Sequence, residues 1–204
     1  MTLTLIVVLL TLALIFAAAS INALKIIRHQ VEPALSTWLI FLAGTSTSFL
    51  SYLVSSRNNY SSGVLMGADV MGDIIVILSI VFFGITRWKL KPFEKYYLLG
   101  LGLIILFWLL SHDAFHSNLL TQLLLSLGYL PTMHTIIKFK RNTESILVWT
   151  LILAASLISI YPAFGAWQNS HNILALIYSV RSVVLVGLSV LLMLFYKQKT
   201  YKSK

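Results

Sequence analysis

Seven apolar runs divide this chain, most of them roughly 17–25 residues long, the length at which an α-helix crosses a ~30 Å hydrocarbon core. They lie near 2–24, 35–54, 64–86, 96–111, 117–137, 146–167 and 173–196, the fourth being the shortest. A water-soluble domain of 204 residues has too much surface to hide a content of 58% hydrophobic and 10% charged residues. Lipid removes that difficulty, because it accepts apolar side chains on the outside of a helix bundle. The alternating pattern of a transmembrane barrel is absent. The expected fold is therefore all-α and transmembrane, with seven helices.

The first run, from Thr2 to Leu24, lacks a positive leader and is too long for a signal-peptide core, so it reads as a retained helix. Cysteine is absent, which removes disulfides, thiolate metal sites and a cysteine nucleophile. A net charge of +9 in a membrane chain reads as topology signal and headgroup contact, with no nucleic-acid partner expected.

With seven crossings, thirteen of the fifteen basic residues fall on one side of the membrane. They are Lys25 and Arg28, then Arg87, Lys89, Lys91 and Lys95, then Lys138, Lys140 and Arg141, and finally the tail lysines Lys197, Lys199, Lys202 and Lys204. The opposite loops hold only Arg57, and Arg181 lies inside the seventh run. The excess of positive charge on cytoplasmic loops then puts the N-terminus outside and the C-terminus in the cytoplasm of a cell or inner membrane. Asn59-Tyr60-Ser61 is a glycosylation sequon on the outer side, a short motif of little weight.

Two segments repeat weakly: KIIRHQVEPALSTWLIFLAG from Lys25, and TIIKFKRNTESILVWTLILAA from Thr135. Each has an Ile-Ile pair, a basic turn, a glutamate and an apolar helix with a tryptophan, Trp38 answering Trp149 with one extra residue in the second copy. The stretch Gly128-Tyr129-Leu130-Pro131-Thr132, then Ile136-Ile137-Lys138-Phe139-Lys140 and Thr143-Glu144-Ser145, resembles the motif of PQ-loop and SWEET-type (MtN3-like) transporters. The similarity covers about twenty residues; the first copy has Ser20-Ile21-Asn22-Ala23 where a proline would stand, and neither copy has a Pro-Gln pair. The resemblance implies two parallel triple-helix bundles joined by a linker helix, a 3+1+3 arrangement. It divides the chain into residues 1–86, a linker with its loops at 87–116, and residues 117–204 with the basic tail. It also implies alternating access, with Pro131 as a hinge.

Charges inside the apolar runs are the most informative residues. Asp69 and Asp73 are four apart in the third run and share a helix face. Arg181 lies in the seventh, with Tyr178 three residues before it. An ionised group at mid-bilayer costs at least ~2.5 kcal/mol, so such groups face the bundle interior and usually a partner. At 1.5 Å per residue Asp73 is ~14 Å past Val64 and Arg181 ~12 Å past Ile173, both near the midplane. Depth and the resembled architecture together place Asp73 opposite Arg181, with Asp69 one turn further out. The group is either a structural ion pair or a substrate site. As a site it suits an amphoteric or anionic solute, with proton coupling through Asp73.

Pro131 and Pro162 interrupt backbone hydrogen bonding and are candidate hinges or static kinks. Trp38 and Trp149 are interfacial anchors or gates. Asn118, Gln122 and Thr45 to Ser48 either line a path or bond between helices. His112, Asp113 and His116, with His171 on the same side, offer the inventory of a zinc hydrolase without its geometry. His134 reads as a packing or pathway residue.

The expected function is transport of a small polar solute (sugar-like, amino acid or vitamin) with no cofactor, no metal and no enzyme chemistry. A seven-helix receptor, sensor or accessory protein is the alternative. The chain could work alone or as a homodimer in the lipid bilayer.

Overall fold

The computed structural model describes residues 2–31, 35–56, 59–84, 92–139 and 145–196. The basic residues Arg57, Arg87, Lys89, Lys91, Lys140, Arg141 and those of the tail lie outside the described residues, as do Thr143 and Glu144 of the motif. Eight helices form: α1 (Thr2–Ile27), α2 (Leu35–Ser55), α3 (Val64–Phe83), α4 (Pro92–Ser111), α5 (Ala114–Gly128), α6 (Leu130–Phe139), α7 (Ile146–Ser170) and α8 (Leu174–Phe195).

This corrects the expectation of seven helices in a 3+1+3 arrangement. Among the described residues five helical segments are long and apolar enough to cross a membrane: Leu3–Ile27, Trp38–Ser55, Val64–Phe83, Ile146–Ser170 and Leu174–Phe195. Lys95–Ser111 is apolar but shorter. The fifth expected run, 117–137, is two helices. Pro131 has no N–H to offer the Leu127 carbonyl, so helical bonding lapses there. Tyr129 closes α5 with its N–H on Ser126 O, and Met133 N bonds back to Tyr129 O to start α6. The joint between α4 and α5 is also tighter than a loop from 111 to 116. His112 takes a left-handed φ of 55°, and Asp113 Oδ1 accepts from His116 N at 3.0 Å to cap α5.

Helix ends are set by local chemistry. His29, His112 and His171 all have φ between 53° and 55° and stand just past the last turns of α1, α4 and α7. Ser145 caps α7 through its Oγ, and Asn172 Oδ1 accepts from Leu174 N at 3.1 Å as α8 begins.

Packing traces a closed ring: α1 against α3, α3 against α2, α2 against α5, α5 against α8, α8 against α7, and α7 back against α1. The helix α4 sits outside it, on α2 and α5. Two bonds fix the ends of this ring. Lys25 Nζ donates to Ser145 Oγ at 2.5 Å at the basic end. Asn172 Nδ2 donates to Ser55 Oγ at 3.3 Å at the opposite end.

The ring is polar inside and apolar outside. Leu5, Leu9, Phe82, Leu103 and Leu191 are exposed, whereas Thr45, Ser48, Asn118, Gln122 and Ser156 are buried. Water would reverse that pattern; a hydrocarbon solvent rewards it. Small hydroxylated residues bring α7 and α8 together, with Ser156 and Ser182 oxygens 2.8 Å apart and Ser159 Oγ donating to Ser179 Oγ at 2.9 Å. The protein is thus a multi-span α-helical membrane protein.

Candidate binding cavity

Inside the ring, toward the basic end, lies a cavity of about 120 Å³. Every helix of the ring lines it: α1 with Asn22, α2 with Trp38, Phe41 and Thr45, α3 with Asp69 and Asp73, α5 with Leu125, α7 with Val148, Trp149 and Ile152, and α8 with Tyr178, Arg181 and Val186. Tyr129 adds its side chain from the α5–α6 joint. A side lobe of about 50 Å³ reaches between α1 and α3 past Ala18, Ala19 and Gly72. A larger cleft of about 520 Å³, lined by Leu5, Val8, Phe49 and Gly67 among others, is apolar and holds no charged side chain.

The four residues expected to form a site, Asp69, Asp73, Tyr178 and Arg181, thus surround one cavity. Direct pairing of the charges, expected between Asp73 and Arg181, is not what the structure contains. Each charged group is held by a neutral one. The Tyr178 hydroxyl donates to Asp69 Oδ2 at 2.6 Å. The Thr45 hydroxyl donates to Asp73 Oδ2 at 3.0 Å. Arg181 Nε donates to Gln122 Oε1 at 2.9 Å, and its Cζ stands 4.7 Å from the Tyr178 ring centroid. Arg181 Nη1 is buried without a hydrogen-bond partner among the described residues. His116 and Asp113 pair away from the cavity, with His116 Nδ1 2.6 Å from Asp113 Oδ2.

Gln122 belongs to an ordered polar chain across α5 and α2. Asn118 Nδ2 donates to Ser48 O at 2.6 Å and to Ser51 Oγ at 3.0 Å. That leaves Asn118 Oδ1 to accept from Gln122 Nε2 at 3.1 Å, while Gln122 Nε2 also donates to Ser48 Oγ at 2.6 Å. Both amides are oriented by these partners, so Gln122 presents its oxygen to Arg181. Asn118 and Gln122 are therefore interhelical bonding groups behind the cavity wall, and Gln122 touches the cavity only through Arg181.

Above this chain, away from the basic end, the ring is packed shut. Tyr52, Leu65, Met66, Leu174 and Ala175 are buried in one cluster contributed by α2, α3 and α8. Toward the basic end the cavity meets aromatic rings instead. Trp38, Phe41, Tyr129 and Trp149 form a row, with successive centroids 6.4, 5.7 and 6.0 Å apart. Trp38 and Trp149 are half-buried at the ends of this row, in the cavity wall.

Pro131 sits at the start of α6, and its side chain lies outside the described residues. Pro162 is buried within α7, which continues through it, and it does not line the cavity. No three His, Cys, Asp or Glu among the described residues are grouped to hold a metal. His112 and His171 close helices, and His116 Nδ1 lies 2.6 Å from Asp113 Oδ2. The two bonds from His116 hold the Asp113 carboxyl below the usual carboxylate range. His134 is exposed on α6.

Sequence reasoning missed Asn22, Phe41 and Tyr129 as cavity residues. Asn22 carried a signal, being a lone amide in a long apolar run; Phe41 and Tyr129 carried none that separates them from other membrane aromatics. No family model, no curated protein and no solved structure matches the chain.

Proposed function

We propose that the protein is a transporter that carries a small polar solute across the membrane by alternating access, with proton exchange at the Asp69–Asp73 pair. The observation that carries this is a cavity holding three charged side chains, Asp69, Asp73 and Arg181, inside a ring that is apolar on its outer surface, lined from both halves of the chain. A purely structural role would pair these charges directly, because unpaired ions are costly in hydrocarbon. Neutral partners that keep them apart leave them available to a solute.

The mechanics follow from the ends of the cavity. One end is packed by apolar side chains; the other meets the aromatic row. Residues 1–86 and 117–204 would rock against each other, closing the Trp38–Trp149 side and opening the other. The break at Tyr129 and Pro131 gives the second half a flexing point beside the cavity. The similarity of Gly128-Tyr129-Leu130-Pro131-Thr132 to the PQ-loop and SWEET-type motif favours the same reading. By the positive-inside rule we read the basic loops as cytoplasmic, with the N-terminus outside. We read the chain as a carrier and not an enzyme, since its charged groups converge on a space for a solute and not on a nucleophile with its base.

Uptake into proteoliposomes tests this. A panel of sugars, amino acids and small vitamins is offered with and without a pH gradient. At least one solute accumulates in the wild type, faster with the gradient, and Asp73→Asn and Arg181→Gln each reduce the rate by ~10-fold or more. Both variants transporting at the wild-type rate would refute the assignment.

A further inference from the structure

The charges around the cavity also specify the kind of solute, and here we propose that it is a small zwitterion, an α-amino acid with a short side chain. This inference rests on the carrier function above and deepens it. Its carboxylate would lie on Arg181 and its ammonium between Asp69 and Asp73.

The anion end is defined by Arg181. A guanidinium offers five donors in a planar fork. One of them, Nε, is taken by the Gln122 amide oxygen at 2.9 Å. Nη1 is buried with no hydrogen-bond partner among the described residues. A buried donor on a charged group is costly to leave unmade. A carboxylate in the cavity would satisfy it and bring the counter-charge that Gln122 lacks. The chain from Ser48 through Asn118 to Gln122 makes this end rigid, because each amide in it has only one orientation that satisfies its partners. Gln122 is thus a positioning residue for the guanidinium.

The cation end is defined by the two carboxylates. Asp69 and Asp73 each receive one hydroxyl, from Tyr178 and Thr45, and neither forms a salt bridge among the described residues; the Arg181 charge attracts Asp69 without touching it. A purely anionic solute would face both of them. A purely cationic solute would face Arg181. Only a molecule carrying both signs answers every charge. With both acids ionised the site holds one negative charge in excess, which a co-transported proton balances.

Size selects the short end of this class. The cavity of about 120 Å³ exceeds the ~10–15 Å³ that one water needs, and falls well below the ~300–1,000 Å³ of pockets for drug-sized ligands. Leu125, Val148, Ile152 and Val186 supply apolar wall for a small side chain.

Calorimetric binding to the purified, detergent-solubilised protein tests the inference without requiring transport. L-alanine is compared with propionate, which lacks the ammonium, and ethylamine, which lacks the carboxylate. L-alanine binds at least ~10-fold more tightly than either. Arg181→Gln lowers its affinity by ~10-fold or more, and Asp73→Asn does likewise, in samples whose melting shows they are folded. Gln122→Leu weakens L-alanine and propionate while leaving ethylamine unchanged, a pattern that general loosening would not give. Arg181→Lys serves in place of Arg181→Gln if the latter does not fold, and also weakens binding because it removes the fork. Propionate or ethylamine binding as tightly as L-alanine, or no binding of L-alanine or glycine, overturns the proposal. Binding of L-alanine without uptake would sink the carrier function and leave the zwitterion site standing. Uptake of an uncharged solute with no L-alanine binding would do the reverse.

Discussion

At the scale of single residues, the cavity depends on neutral groups that hold charged ones. The Tyr178 hydroxyl is the donor to Asp69 at 2.6 Å. Tyr178→Phe removes that donor from a partly buried carboxylate and leaves the ring in place. Hydrogen bonds to charged groups contribute ~1.5–3 kcal/mol, so the variant should unfold earlier by that amount in detergent melts. Asp113 gives a residue-scale pH effect outside the membrane spans. Its folded-state carboxyl is held below the ordinary range by His116, so the cap on α5 is present above the unfolded carboxylate's titration and fades as pH falls through the folded one. Amide exchange at His116 should quicken in acid, and Asp113→Asn should flatten that dependence while keeping the cap. How far the sequence revealed these groups differs by residue. Two aspartates and an arginine at matching depth inside apolar runs were visible, because charge in hydrocarbon is rare. Tyr178 was visible too, three residues before Arg181, and Thr45 and Gln122 stood out as polar groups in apolar runs; which charge each of them holds was not legible, because that depends on how neighbouring helices pack.

At the scale of elements, helix limits were legible where apolar runs end in short polar or glycine-containing segments. The runs at 64–86, 146–167 and 173–196 correspond to Val64–Phe83, Ile146–Ser170 and Leu174–Phe195. The count was not, because hydropathy does not register a backbone break. The run at 117–137 is continuous in composition, but Pro131 divides it in hydrogen bonding. Pro131→Ala restores the missing N–H and should fuse α5 with α6. Circular dichroism should report more helix, and uptake should slow by several-fold if the joint flexes during transport. Close packing gives a second element-scale test. A Cβ on Gly63 would come 2.5 Å from Tyr52 Cε1, inside a ring that is fully buried. Gly63→Ala should therefore destabilise the α2–α3 pair by ~1–3 kcal/mol in the same melts, the ordinary cost of overpacking.

At the scale of the whole molecule, the architecture reconciles an apolar exterior with a polar interior. Lipid-facing leucines and phenylalanines surround a ring whose buried surface carries hydroxyls, amides and three charged groups. The two ends of that ring differ, one sealed by Tyr52, Leu65 and Met66, the other bounded by Trp38, Phe41, Tyr129 and Trp149. Such asymmetry is what one state of an alternating carrier would present. The natural absence of cysteine makes exposure measurable with single introduced thiols. Ile152, in the cavity wall on α7, is the position to use. Ile152→Cys protein in oriented proteoliposomes is treated with a membrane-impermeant thiol reagent from either side. The account predicts labelling from both sides, slowed from each when a transported solute is present. Labelling from one side alone, unchanged by every solute offered, would contradict it.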